Sequence, residues 1–147
     1  MQKDINRSWF FRQPQQEVWD YLTKAELLEQ WLMKNNFKPV VGHQFQFISD
    51  GLTDCEIAGV AYCQVLEVVP TSRLSYSWKY SMKGAEISTD SVVTWTLHEK
   101  NGGTELHLLH NGFTLMEDVI SHTDGWVKNL NRLTELLNVP GHVHTNA

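Results

Sequence analysis

Three segments in the second half of the sequence carry large apolar side chains at every second position. The alternating residues are Leu74, Tyr76, Trp78 and Tyr80, then Val93, Trp95 and Leu97, then Thr104, Leu106, Leu108 and His110. A period of two is typical of strands that bury one face of an antiparallel sheet. The sequence Asn101-Gly102-Gly103 between the last two segments predicts a hairpin turn. The chain therefore must build an antiparallel sheet with one aromatic-rich, buried face.

Helical periodicity flanks these strands on both sides. Pro14 suits the first turn of a helix, and Thr23 with Glu26 has the spacing of a capping box that would start a second helix. Two short helices are predicted over residues 14–32, after a strand at residues 5–12. A long helix is predicted over residues 117–137. Its apolar stripe is formed by Val119, Trp126, Leu130, Leu133 and Leu137.

Two further strands are predicted between the short helices and the alternating segments. Residues 44–48 alternate, and residues 55–69 form a long extended stretch with a twist or bulge at Gly59. The order of elements is strand, two short helices, about six antiparallel strands and one long helix, which indicates an α+β fold. The 147 residues suffice for one domain, predicted at residues 1–140 with a disordered tail at 141–147.

Charge and hydropathy exclude two classes of partner. The chain has 12 Lys plus Arg against 17 Asp plus Glu, a formal net charge of −5, and no basic run. Nucleic acid is therefore excluded as the main partner, because duplex-binding proteins present a basic stripe. An acidic surface repels anionic lipid, and no apolar run approaches about 18 residues. The sequence predicts no membrane partner and a cytoplasmic location.

No motif marks a metal site, a cofactor site or a catalytic nucleophile. His107 and His110 are three residues apart on a predicted strand, so their side chains point to opposite faces and cannot share one ion. Cys55 and Cys63 would lie about 27 Å apart on a continuous strand, too far for a disulfide, and could bond only if the chain turned back near Gly59. We therefore predict two free thiols, no bound metal, no cofactor and no catalytic residue.

The aromatic residues of the predicted sheet have two interpretations. They form either a plain core or the lining of a cavity that faces the long helix, since Tyr and Trp have polar tips that need partners. His110 is accordingly either a structural histidine or a polar group that orients a ligand. Gly125 provides either a close approach of the helix to the sheet or space for that ligand. The predicted cavity-lining residues are Tyr76, Trp78, Trp95, Leu108, His110, Trp126 and Leu130.

Several segments together resemble a known family. They are residues 14–23 (PQQEVWDYLT) with Leu27 and Trp31, residues 65–70 (VLEVVP), 73–78 (RLSYSW), 93–97 (VTWTL), 103–108 (GTELHL) and 110–113 (HNGF), and Gly125-Trp126 with Leu130 and Leu133. This set is similar to the START-like proteins of the SRPBCC superfamily. Within that superfamily it resembles the homologues of the activator of heat-shock protein 90 ATPase. The resemblance covers residues 5–138 and implies the helix-grip fold, a curved antiparallel sheet around a long C-terminal helix with a cavity between them.

The resemblance leaves three functions open, since this superfamily includes lipid and hormone carriers, polyketide cyclases and co-chaperone domains. The first expectation is a protein that binds a small apolar or aromatic molecule in an internal hydrophobic cavity. The second is a chaperone-activator-like or stress-response protein whose partner is a chaperone ATPase. The third is a cyclase or hydrolase that uses the same cavity. An exposed edge strand predicted near residues 44–48 leaves a dimer open.

Overall fold

A computed structural model describes residues 4–49, 59–82 and 90–138 of the chain. The elements are β1 Ile5–Phe11, α1 Gln15–Thr23, α2 Ala25–Trp31, β2 Lys34–Asn35, β3 Gln44–Ser49, β4 Gly59–Val69, β5 Arg73–Met82, β6 Ser91–Lys100, β7 Gly103–Asn111 and α3 Met116–Asn138. The predicted α+β fold is confirmed. Cys55 and the predicted tail at residues 141–147 lie outside the described residues.

The strands form one antiparallel sheet in the order β1-β7-β6-β5-β4-β3-β2. β6 and β7 are joined by a tight turn in which Asn101 and Gly102 have φ of 51° and 79°. Two positive φ values match the right-handed twist of the strands that the turn connects. The register places Trp95 opposite Leu108 and Val93 opposite His110. The predicted alternation is confirmed, since all three segments bury the predicted residues.

The sheet curls into a half-barrel, and α3 packs against its aromatic face. The core residues that α3 contributes are Trp126, Leu130, Leu133 and Leu137. Near the C-terminus of α3, the Leu137 carbonyl accepts a hydrogen bond of 2.9 Å from Gln13 Nε2. This bond ties the end of α3 to the connection between β1 and α1. No helix within the described ranges is long and apolar enough to cross a bilayer.

The bulge in β4 does not occur at Gly59. Gly59 pairs in register with Met82, and the register shifts between Val65 and Glu67 instead. A Cβ atom at Gly59 would lie 2.5 Å from the Ser81 carbonyl oxygen and 2.6 Å from the Tyr80 hydroxyl. Glycine is therefore needed at position 59 because another strand approaches closely, and the prediction of a bulge there was wrong.

The predicted capping box is also wrong. Thr23 belongs to the last turn of α1, where its Oγ1 donates to the Trp19 carbonyl at 2.8 Å. Lys24 is the single residue between α1 and α2, and no side chain caps the start of α2. Because α1 extends through position 23, the Thr23 hydroxyl is already used by the preceding helical turn.

β3 is not the edge of the sheet that the sequence predicts. β2 pairs with it, Lys34 opposite Ile48 and Asn35 opposite Phe47. The Asn36 Oδ1 atom also accepts a hydrogen bond from the Gln46 backbone N–H at 2.8 Å. Two residues are too few for an alternation to be recognised, so β2 has no signal in the sequence.

Candidate functional site

The structure brings all seven predicted cavity-lining residues into one buried cluster. Tyr76 and Trp78 come from β5, Trp95 from β6, Leu108 and His110 from β7, and Trp126 and Leu130 from α3. Each side chain is at most 3% exposed. Alternation along the strands and the helical repeat of α3 are sufficient to make these residues meet at one interface.

Trp126 is the centre of the aromatic packing. Its ring centroid lies 5.3 Å from that of Trp78 and 5.4 Å from that of Trp95. Trp95 Nε1 donates to the Tyr76 hydroxyl at 3.0 Å, and burial raises the pKa of Tyr76 well above its usual value. The polar tips of these aromatic residues thus bond to one another, and their rings present an apolar wall.

His110 continues this hydrogen-bond network through the sheet. Trp126 Nε1 donates to His110 Nδ1 at 2.9 Å, so in the neutral ring the proton is on Nε2. His110 Nε2 then donates to Ser91 Oγ at 2.8 Å, and Ser91 Oγ donates to the Trp78 carbonyl at 2.9 Å. Burial, with a smaller effect of His122, lowers the pKa of His110 well below its usual value. His110 is therefore a neutral histidine with both nitrogens bonded.

His122 on α3 is the neighbour that the sequence analysis did not predict. Trp78 Nε1 donates to its Nε2 at 3.2 Å, so its Nδ1 carries the proton and donates to the Asp118 carbonyl at 2.9 Å. Burial lowers the pKa of His122, opposed by that backbone bond and by the charge of Asp118. The sequence does contain one signal for His122. It lies four residues before Trp126, so the two side chains are neighbours on one face of the helix.

The pair Ser91 and His110 resembles the nucleophile and base of a hydrolase in distance alone. In such a pair, Nε2 accepts the hydroxyl proton, and Nδ1–H donates to an orienting group. Here Nδ1 accepts from Trp126, so Nε2 carries a proton and cannot take another from Ser91. The arrangement does not activate the serine. Within the described residues, no three His, Cys, Asp or Glu side chains converge to hold a metal ion.

Exposure within the cluster increases toward one end. Leu108, His110 and Leu130 are 0% exposed, so no space of the size of a water molecule adjoins them. Tyr80 and Phe113 retain 7% each. His122 is half-buried, and its ring lies 5.3 Å from Tyr80 and 5.1 Å from Phe113. The closed part of the cluster is its floor, and Tyr80, Phe113 and His122 form its accessible end.

Gly125 does not mediate a close approach of α3 to the sheet. A Cβ atom at this position would meet no atom within 4 Å. The next residue, Trp126, is buried, so the open space begins at the edge of the packed helix face. Of the two interpretations of this glycine, the close approach is excluded.

The opposite face of the sheet carries a polar groove that the sequence analysis did not predict. Its volume is about 500 Å³, and its rim includes Gln44, Gln46, Tyr62, Gln64 and Lys79. These side chains alternate with the buried ones along β3, β4 and β5. The lining also includes the buried Phe45 and Cys63, so the groove reaches from this polar surface to the margin of the core.

A curled antiparallel sheet that holds one long C-terminal helix defines the helix-grip class of proteins. Residues 12–138 match the family described as Activator of Hsp90 ATPase homolog 1-like protein, and the chain belongs to that family. This confirms the resemblance found in the sequence. A search of curated proteins found no match.

Solved structures share the fold of this chain. The crystal structure of protein MLL2253 from Mesorhizobium loti is 34% identical, covers 92% of this chain and 96% of its own, and has a TM-score of 0.81. CalU16 from Micromonospora echinospora is 24% identical over 94% of this chain and 78% of its own, with a TM-score of 0.72. The Aha1 dimer from Colwellia psychrerythraea is 17% identical, covers 92% of this chain and 96% of its own, and has a TM-score of 0.72. The last two share the fold.

Proposed function

We propose that this chain is a cytoplasmic protein that binds a small apolar or aromatic molecule between α3 and the sheet. The observation that carries the proposal is the open space at Gly125, beside the buried Trp126. Glycine inside a helix costs about 1 kcal/mol relative to alanine, so its presence without a packing reason favours a functional one. The ligand would enter past Tyr80, Phe113 and His122.

Of the seven predicted residues, the four aromatic ones, Tyr76, Trp78, Trp95 and Trp126, would supply the wall of this site. Leu108, His110 and Leu130 would be the packed core beneath it. The polar atoms of the wall are used within the cluster, since Trp95 bonds Tyr76 and Trp126 bonds His110. A wall of this kind offers a ligand ring faces and few competing polar groups, which suits an apolar or aromatic molecule. Ring contacts in offset or edge-to-face geometry would contribute about 0.5–1.5 kcal/mol each.

Calorimetric titration with 2-methoxynaphthalene tests this proposal. The wild type is expected to bind one molecule with saturation, and Gly125→Leu to bind at least tenfold more weakly because the leucine fills the space. Asn131→Leu, on an exposed position of the same helix, is the matched control and should bind as the wild type does. Absence of saturable binding, or equal binding by Gly125→Leu, would refute the proposal.

A second candidate function is an interaction with a chaperone ATPase. It is favoured by the family and by exposed apolar residues at the start of α3, where Leu115, Met116 and Ile120 are 48%, 41% and 63% exposed. Contiguous exposed apolar residues are typical of protein-interaction surfaces. The ATPase rate of Hsp90 from the same organism should rise with this protein and not with its Ile120→Glu variant. An unchanged rate with the wild type would exclude this function.

A further inference from the structure

Among the described residues of α3, Asn129 has a fully buried polar atom without a partner. Asn129 on α3 is only 5% exposed, and its Oδ1 atom is buried without a hydrogen bond. Leaving such an acceptor unpaired costs about 1–3 kcal/mol, so buried side-chain amides nearly always find a donor. The neighbouring indoles and histidines are all bonded, which makes this atom an exception in its surroundings.

The position of Asn129 on the helix connects it with the open space. His122, Gly125 and Asn129 follow one another at spacings of three and four residues, so they lie along one side of α3. The space at Gly125 is therefore one turn before Asn129. Asp118, four residues before His122 on the same side, has a second buried oxygen without a partner, Oδ2.

Within the part of the chain that the structure describes, no donor reaches Asn129 Oδ1. Both nitrogens of His122 are used, by Trp78 and by the Asp118 carbonyl. One turn beyond Asn129, Arg132 Nη1 points to the Trp31 carbonyl at 3.5 Å. A molecule that fills the space at Gly125 would lie one helical turn from an acceptor that no described residue occupies.

We infer that the ligand of this site is an apolar molecule with one hydroxyl or N–H group, and that Asn129 Oδ1 accepts the hydrogen bond from that group. This inference rests on the proposed function and adds a specificity-determining residue to it. A site built to bond a donor rejects an analogue without one far more strongly than an apolar wall rejects a change of shape. The expected selectivity therefore comes from Asn129 and not from the aromatic cluster.

The test uses two isomers of the same formula, 2-naphthalenemethanol, which has a hydroxyl donor, and 2-methoxynaphthalene, which has none. The wild type should bind the alcohol about tenfold more tightly than the ether, which corresponds to about one well-made hydrogen bond. Asn129→Leu has a similar volume and no acceptor, so it should bind both isomers with equal affinity. Asn131→Leu, at an exposed position, should keep the preference.

The outcomes separate this inference from the proposed function. Binding of neither isomer to the wild type would refute the proposed function and this inference with it. Equal affinity of the wild type for both isomers, or a preference that persists in Asn129→Leu, would refute only the role of Asn129. A preference that disappears in Asn129→Leu, with binding of the ether unchanged, supports both.

A second measurement on the wild type covers the case in which Asn129→Leu does not fold. The side-chain amide signals of Asn129 in a ¹⁵N-correlated NMR spectrum should shift on saturation with the alcohol and shift less with the ether. The amide of Asn131 is the internal control and should not move. Unmoved Asn129 signals at saturation with the alcohol would overturn the inference. That result is expected if a water molecule permanently occupies Oδ1.

Discussion

Among single residues, the two neutral histidines explain why tryptophan is found at positions 78 and 126. Each histidine has one nitrogen that accepts, and an indole N–H donates to it: Trp126 to His110 and Trp78 to His122. The remaining ring protons go to Ser91 and to the Asp118 carbonyl. Phenylalanine would fill most of the same space but would leave a buried lone pair without a donor.

We therefore expect Trp126→Phe to lower the free energy of unfolding by about 1–3 kcal/mol beyond the loss from ring size, because His110 Nδ1 becomes an unpaired buried acceptor. Trp19→Phe is the matched control, since Trp19 is 6% exposed and packs in the same core. Urea unfolding at pH 7.5 measures both. Equal losses in the two variants would contradict the importance of the indole bond.

The same network predicts a pH dependence of stability. Burial lowers the pKa of His110 and of His122 in the folded protein, whereas in the unfolded chain both titrate near 6.5. Below about pH 6.5 the unfolded chain binds protons that the folded protein does not, so stability falls as pH decreases toward the lowered folded pKa values. Above that pH these histidines contribute no further change.

Urea unfolding should therefore give a constant free energy of unfolding between about pH 7 and 8. Below about pH 6.5, each of the two histidines should lower that free energy by up to ~1.4 kcal/mol for each pH unit. His122→Gln, which keeps an acceptor for Trp78, should reduce the slope. His107→Gln is the control, because His107 lies on the other face of β7. An identical slope in wild type and His122→Gln would contradict the assignment.

At the scale of elements, periodicity is informative only where it repeats. β5, β6 and β7 have nine or ten residues each, and α3 has 23, so their alternation and helical repeat are long enough to recognise. β2 has two residues and β4 shifts register within its length. A bulge and a two-residue strand depend on pairing with residues distant in sequence, which no local pattern contains.

The two glycines Gly59 and Gly125 are expected to respond to substitution in opposite ways. Gly125→Ala should stabilise the protein by about 0.5–1 kcal/mol, since its Cβ would meet nothing within 4 Å and alanine favours the helix. Gly59→Ala should destabilise it by about 1–3 kcal/mol, since its Cβ would lie 2.5 Å from the Ser81 carbonyl oxygen. Thermal and urea unfolding measure both, and a destabilised Gly125→Ala would show that α3 packs closely there after all.

At the scale of the whole molecule, the sequence was sufficient to predict which residues meet but not how they bond. The alternation along β5, β6 and β7 predicted that Trp78, Trp95 and His110 share a face, and all three are buried against Trp126. Ser91 and Asn129 gave no signal, because a buried serine or asparagine looks like any surface residue until its neighbours are known. Ser91 on β6 bonds to Trp78 of β5 and His110 of β7, which lie 13 and 19 residues away in sequence.

Cys63 provides a probe of opening at this largest scale. It is a free thiol, buried on β4 between β3 and β5, and burial raises its pKa well above the usual value. Thiolate is the reactive form, so Cys63 should react with a disulfide reagent only when the sheet opens. In a Cys55→Ser variant, which leaves one thiol, the native rate should be at least about a thousandfold below that of the urea-unfolded chain.

If opening is global, this rate should increase with urea in parallel with the unfolding equilibrium constant. Saturation with 2-methoxynaphthalene should slow the reaction further by the factor 1 + [L]/Kd, because the ligand binds only the closed molecule. The alternative is a local movement of β3 that exposes Cys63 while α3 stays in place. In that case, the rate would be independent of urea at low concentrations, and the ligand would leave it unchanged.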